Sequence, residues 1–255
     1  MVKFNDQVLG LIPALAGSKG VPGMDVRPLG GVPLIGHSCR TAEASGVDRV
    51  LVSTDCHEIA YVGRRYGAEV PFVLPAKRTA GQITLVSVVR QSLDHLLELS
   101  GQLPSTTVLL QTSSPFRTAE DIDAALLLLA QRNADSVVSV CEVPVEFNAR
   151  WQLDETHDGM VPSTGDPLAS ILSRRSQLPT NHIHNGAVHA FRTRVFLETG
   201  SLYGDLCVGH RMPTERSVRL ASEDDWLAAE RTIAMAKQSP TRPYPIHATD
   251  RRRAA

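Results

Sequence analysis

The chain has no hydrophobic run long enough to cross a bilayer, so it is not expected to hold a membrane-spanning helix. It also has no surplus of one charge. Lys and Arg number 26 against 27 Asp and Glu, a formal net charge of −1, which argues against a general nucleic-acid or membrane-surface binder. No C-x-x-C pair occurs. The four cysteines, Cys39, Cys56, Cys141 and Cys207, lie far apart and read as small buried thiols in a reducing cytoplasm. A zinc site lacks its third ligand. His182 and His184 share a strand face, His189 lies too far along to join them, and nothing else stands at a familiar spacing. The apolar segment Val8–Ala16 ends in Ala-Leu-Ala like a signal-peptidase site, but Asp6 and a single Lys3 make a poor basic region and Pro13 interrupts the core. No internal repeat is present. These gaps leave a cytoplasmic chain with no nucleic-acid or membrane partner as the expectation.

What is present begins with IPALAGSKGVPGMDVRPLGG, from Ile12 to Gly31. The preceding apolar run reads as a strand, and it opens into a loop carrying Gly17, Ser18, Lys19, Gly20 and Gly23. Glycines let backbone N–H groups approach an anion closely, and a first strand followed by such a loop is how many α/β proteins hold nucleotide phosphates. The 255 residues suffice for one large α/β domain or two small ones.

Strands and helices then alternate. Helices are expected at Pro33–Ala44, Ile59–Tyr66, Ile83–Leu99 with Thr84 as a cap, Ala119–Gln131 capped by Thr118 with Asp121, and Glu223–Lys237 opened by Ser222. Strands are expected at Arg49–Thr54, Glu69–Val73, Thr107–Gln111, Ser136–Val143 and Ile183–Phe191. Apolar strands alternating with helices give a mainly parallel sheet covered on both faces, a three-layer α/β, Rossmann-like arrangement. Residues 1–237 read as one domain. The alternation lapses over 144–180, which is an inserted lobe, a dimerisation arm or a long surface loop. Residues 238–255, with three prolines and Arg251-Arg252-Arg253, read as a flexible tail.

Eight segments carry a resemblance: IPALAGSKGVPG, RPLGGVPLI, VSTDCHEIA, YGAEVPF, LLQTSSPFRTAEDID, ADSVVSV, RRSQLPTNHIHNGAV and SEDDWLAAE. In that order they resemble the acylneuraminate cytidylyltransferases, or CMP-sialic acid synthetases, from the first strand to the last helix. The resemblance implies a nucleotidyltransferase fold and a homodimer. It implies transfer of CMP from CTP to an acidic sugar with release of pyrophosphate. It places Ala14, Leu15, Gly17, Ser18, Lys19, Asp25 and Thr84 with the nucleotide. It places Gln111, Ser113, Arg174, Arg175, Gln177 and Asn185 with the acceptor, and gives Lys19 and Arg117 catalytic roles. These residue types suit the task, since an arginine fork pairs with a carboxylate and Gln or Ser reads hydroxyls.

The chain departs from that family where charge is concerned. Leu15 stands where arginine is usual, Met24 where lysine is usual, and Asp25 replaces asparagine. Two lost charge-assisted hydrogen bonds amount to roughly 3–6 kcal/mol. The resemblance also implies a magnesium ion held by an Asp-x-Asp pair. Those positions are Arg219 and Ala221, neither of which ligates a hard cation. Glu223, Asp224 and Asp225 read as a capped first turn rather than a substitute metal site. Arg219 is either an exposed arginine without a role or a fixed cation where the metal would sit. Two rival readings stay open: a catalytically degenerate homologue that binds nucleotide or sugar acid, and an enzyme repurposed for a ligand without a triphosphate.

Overall fold

The computed structural model describes residues 2–17, 21–74, 84–167 and 177–238. Ten strands and six α-helices run through them: β1 (Lys3–Pro13), β2 (Pro28–Leu29), β3 (Val32–Pro33), α1 (Leu34–Glu43), β4 (Arg49–Ser53), α2 (His57–Arg65), α3 (Leu85–Ser100), β5 (Gln102–Leu109), α4 (Ala119–Gln131), β6 (Ser136–Glu142), β7 (Leu153–Thr156), β8 (Gly159–Pro162), β9 (His182–Arg192), α5 (Thr193–Thr199), β10 (Cys207–Arg211) and α6 (Glu223–Gln238). Six strands form the central sheet in the order β10-β6-β9-β5-β1-β4. Every neighbouring pair is parallel except those made by β9, which runs against both β5 and β6. A parallel partner needs a crossover, usually a helix. Among the described residues between β6 and β9 there is no α-helix, and the chain returns antiparallel.

Period-two alternation builds the three layers. On β1, Leu9 and Leu11 face a cluster with Val89, Leu93 and Leu96 of α3 and with Phe191 and Phe196. Ile12 faces the opposite cluster, with Ile35 and Cys39 of α1, Ile59 of α2, and Ile122, Ala125 and Leu129 of α4. Both sheet faces are therefore covered, as the apolar strands require. A third cluster docks α6. Trp226, Ala229 and Ile233 pack against Leu29, Leu34, Phe116 and Leu220. Gly30 (φ +62°) is required by this contact, because a Cβ there would stand 2.8 Å from Ile233 Cγ2.

The helix caps follow the sequence. Thr84 accepts from the Ser87 N–H and Thr118 from the Asp121 N–H, each in a reciprocal box. Ser222 and Asp225 exchange the same pair of bonds at α6 (3.2 and 2.9 Å). Several expectations are corrected. The strand at Glu69–Val73 reduces to one bridge, Leu51 to Glu69. Helix α5 and strand β10 were not anticipated. The first is a single short turn sequence ended by Gly200 at φ +72°, and the second is a sheet edge whose residues stay half or fully exposed. Cys207 is exposed rather than buried. His189 does meet His184, with ring centroids 5.9 Å apart. The register of β9 on β6 slips between Val138 and Val140, where Gly186 takes φ +74°, and the extra residues return His189 to the same side. Segment 144–180 holds the β7–β8 hairpin, a two-stranded sheet separate from the central one. The tail from 239 lies outside the described residues.

Candidate functional site

Strands β1 and β5 are parallel neighbours near the middle of the sheet, and the chain leaves both at their carboxyl ends. Ligands in open α/β sheets bind outside such ends. After β1, the Ala14 N–H donates to Ser53 O at 2.9 Å and the Ala16 N–H to Asp55 Oδ1 at 2.7 Å, which pins the start of the glycine loop. After β5, the Leu110 N–H donates to Leu11 O, and the chain turns through Gln111, Thr112 and Ser113. Between these ends lies an open cavity of about 450 Å³. Its wall includes Ala14, Leu15, Met24, Asp25, Thr84, Gln111, Ser113 and Arg219.

Three further segments are held at this wall by identifiable bonds. The turn after the glycine loop is closed by the Val26 and Arg27 N–H groups on Gly23 O, and the Ile35 N–H at the head of α1 donates to Asp25 O. Asp25 is buried and accepts from Thr112 Oγ1 at 2.5 Å. Burial raises its pKa, against the lowering effect of the Thr112 bond. The carboxyl is thus tied to the Thr112 hydroxyl, and burial favours its protonated form. The Leu220 N–H donates to Ser113 O at 2.8 Å and brings Arg219 and Ala221 to the rim. Thr84, the cap of α3, supplies the fourth side.

Six of the expected site residues therefore meet in one cavity: Ala14, Leu15, Asp25, Thr84, Gln111 and Ser113. Thr112 and Leu85 join them without having been anticipated. Thr112 stood between two chosen residues of its motif, which was the available signal. Gly17 is exposed beside the loop start and does not line the cavity. Ser18, Lys19, Arg174 and Arg175 lie outside the described residues. Gln177 is exposed and away from the wall.

Two of the expected site residues lie behind the cavity wall rather than in it. Arg117, given a catalytic role, is 1% exposed and does not line the cavity. Its Nη1 donates to Gln111 O (2.7 Å) and Ala187 O (2.8 Å), and its Nη2 to Ser38 Oγ. It ties the Gln111 turn, β9 and α1 together from behind. Burial pulls its pKa down to about 9, and the neighbouring Cys39 thiol is pushed up to about 12 by the same desolvation, which keeps it protonated. Asn185, given an acceptor role, is also buried. Its Oδ1 accepts from Ser139 Oγ (2.5 Å) and the Ala187 N–H (3.1 Å), while its Nδ2 donates to Ser217 Oγ (2.8 Å). All of its amide capacity goes to holding β6, β9 and the 217 segment together.

The donor set does not fit a divalent metal. Arg219 and Ala221 offer a guanidinium and a methyl group. Glu223 is taken by Arg27 at 2.7 and 2.8 Å, and Asp225 caps α6. Asp224 does not line the cavity. Among the described residues no group of three His, Cys, Asp or Glu side chains is placed to hold a metal ion.

A family model described as cytidylyltransferase matches residues 9–198. The chain belongs to the cytidylyltransferase family. N-acylneuraminate cytidylyltransferase B of Danio rerio is 31% identical over 225 residues, covering 88% of this chain and 50% of that protein. CMP-N,N'-diacetyllegionaminic acid synthase of Legionella pneumophila is 28% identical over 249 residues, covering 91% and 99%. This cytidylyltransferase-family chain thus spans about half the length of the Danio rerio relative. Its fold is similar to that of a CMP:2-keto-3-deoxy-manno-octonic acid synthetase complexed with CTP (TM-score 0.62, 14% identity, covering 91% of this chain and 99% of that one). Among the described residues no helix is long and apolar enough to cross a membrane.

Proposed function

We propose that this chain transfers CMP from CTP to an acidic sugar, releasing pyrophosphate. The observation that supports it is the convergence of Ala14–Leu15, Asp25, Thr84 and Gln111–Ser113 on one cavity at the carboxyl ends of β1 and β5. The names of its relatives, both of which carry CMP to sugar acids, point to the same reaction class.

In this reading the base and ribose lie along the Ala14–Leu15 edge, and Lys19 pairs with the phosphates. Gln111 and Ser113 hydrogen-bond the hydroxyls of the acceptor, and Arg174 and Arg175 pair with its carboxylate. The acceptor oxygen bonds to the α-phosphorus as the bond to the bridging oxygen breaks, and pyrophosphate leaves. Alignment of these atoms and stabilisation of charge on the leaving phosphates supply most of the acceleration in such a transfer. Arg117 and Asn185 act one layer back, as positioning residues for the Gln111 turn.

The working form is proposed as a cytoplasmic homodimer in which the 144–180 segment reaches the second copy. Its hairpin stands outside the main sheet with Leu153, Met160 and Val161 exposed. A non-catalytic reading is favoured by one observation: Asp25, an acidic residue, is part of the wall of a cavity meant for an anionic ligand. Pyrophosphate release measured across a panel of sugar acids, with CTP and with the other nucleoside triphosphates, separates the two. Turnover with CTP and one sugar acid is expected. CTP binding without turnover identifies a binding protein, and no nucleotide binding removes the proposed function.

A further inference from the structure

Arg219 is the only cationic side chain among the described residues of the cavity wall. The rest of that wall is apolar, as at Leu15, Met24 and Val88, or neutral and hydrogen-bonding, as at Thr84, Gln111 and Ser113. Its single carboxyl, Asp25, is already bonded to Thr112. Nearby arginines are engaged: Arg27 pairs with Glu223 and stacks on Trp226 at 4.3 Å, and Arg216 pairs with Asp121. Arg219 is exposed and has no hydrogen bond or ion pair among the described residues.

Its backbone is nevertheless fixed on both sides. Leu220 is buried in the α6 cluster and bonded to Ser113 O, and the Ala221 N–H donates to Asp225 Oδ2 at 3.0 Å. The flanking chain is held in place while the guanidinium has no partner, and Arg219 lines the cavity. Arg219 also acts on His184, which lies outside the cavity wall: burial first, and then this charge, lower the His184 pKa. A planar fork of N–H donors in this setting suits the oxygens of a phosphate or carboxylate.

We infer that Arg219 is the anion anchor of this cavity and that it grips the ligand's anionic oxygens without a divalent cation. This rests on the cavity being the nucleotide and acceptor site proposed above. The anion is supplied by either the triphosphate or the sugar-acid carboxylate, and these are separable by experiment. A charge-assisted hydrogen bond of about 1.5–3 kcal/mol corresponds to roughly 10- to 150-fold in affinity.

Calorimetric titration of the full chain with CTP, cytidine and an N-acylneuraminate, each in excess magnesium and in EDTA, tests it. CTP affinity is expected to agree within about twofold between the two buffers. Arg219→Ala is expected to weaken CTP or the neuraminate by roughly 10-fold or more while leaving cytidine unchanged, and Arg219→Lys to lose less. Which of the two ligands suffers names the anion. Thermal unfolding of Arg219→Ala should match the parent, because the side chain has no partner to lose. Binding that requires magnesium, or an Arg219→Ala protein that binds both anions as the parent does, overturns this inference alone. Failure of CTP and cytidine to bind in either buffer overturns the site reading with it.

Discussion

At the scale of single residues, the difference between touching a ligand and holding the wall that touches it decides the chemistry. Arg117 and Gln111 lie in the same short motif, but Gln111 faces the cavity and Arg117 is buried behind it. Replacing Arg117 with Met removes the donors to Gln111 O, which keeps the Ser114 N–H, and to Ala187 O and Ser38 Oγ. The expected cost is about 3–5 kcal/mol, comparable to breaking a buried ion pair. Urea unfolding should show that loss. Arg117→Lys, a point charge in place of a fork, should recover part of the stability. A catalytic role would instead lower turnover with the unfolding midpoint unchanged, and that result would reject the positioning role. Residue type alone had suggested a ligand contact for both Arg117 and Asn185. Type does not give direction. The available signal was context: Arg117 follows Ser114-Pro115-Phe116 and precedes a helix cap, and all three preceding side chains are buried. Asn185 sits beside Gly186, whose φ of +74° turns the strand and sends the amide inward. The resemblance supplied Leu15, Asp25, Gln111 and Ser113; Leu15, Gln111 and Ser113 follow the ends of β1 and β5 at one edge of the sheet, while Asp25 lies in the loop before β2.

At the scale of elements, α6 controls the site from outside it. Its Trp226, fully buried, fills the cluster under Leu29 and Leu34, and Arg27 both stacks on the indole and pairs with Glu223. The 219–221 segment reaches the cavity because α6 docks there. Trp226→Ala should cost about 3–5 kcal/mol by chemical denaturation, from lost burial plus the cavity left behind. It should also weaken ligand binding in calorimetry, although Trp226 lines no part of the pocket. A variant that loses stability but binds as before would show that the rim is set by the Leu220–Ser113 bond alone. The sequence made most elements visible through apolar period and capping pattern: α1, α3, α4 and α6 begin within two residues of the expected starts. What it hid had no local cause. The direction of β9 goes with the lack of an α-helix among the described residues between β6 and β9. β10 pairs with β6 at the sheet edge, where half-exposed residues make no apolar run.

At the scale of the whole molecule, one buried histidine ties stability to pH. His189 lies in the six-stranded sheet, 5% exposed, with Nε2 2.9 Å from Leu202 O, so the proton is assigned to that nitrogen. Burial pulls its pKa down to about 4, opposed by the Leu202 carbonyl and aided by His184. In the unfolded chain it titrates near 6.5. Between those values the unfolded state binds a proton that the folded state refuses, so stability falls as pH falls through the window. Fully developed, the loss is about 3 kcal/mol, a sizeable share of the 5–15 kcal/mol typical of a folded domain. Asp121 works in a separate range. Burial raises it, but bonds from His210, the Thr118 N–H and Arg216 outweigh that and hold it at about 2. Its stabilisation is present above the ordinary aspartate range and is lost only as pH falls toward 2, leaving the histidine window distinct. Urea unfolding of the parent and His189→Gln, from about pH 7 to about pH 4.5, reads the effect. The variant keeps a donor for Leu202 O and has nothing to titrate, so its stability should decline less steeply on acidification, whatever its value at neutral pH. Parallel curves for the two proteins would mean that the proton is taken up elsewhere, and the sheet would then carry no acid-sensitive group at its centre.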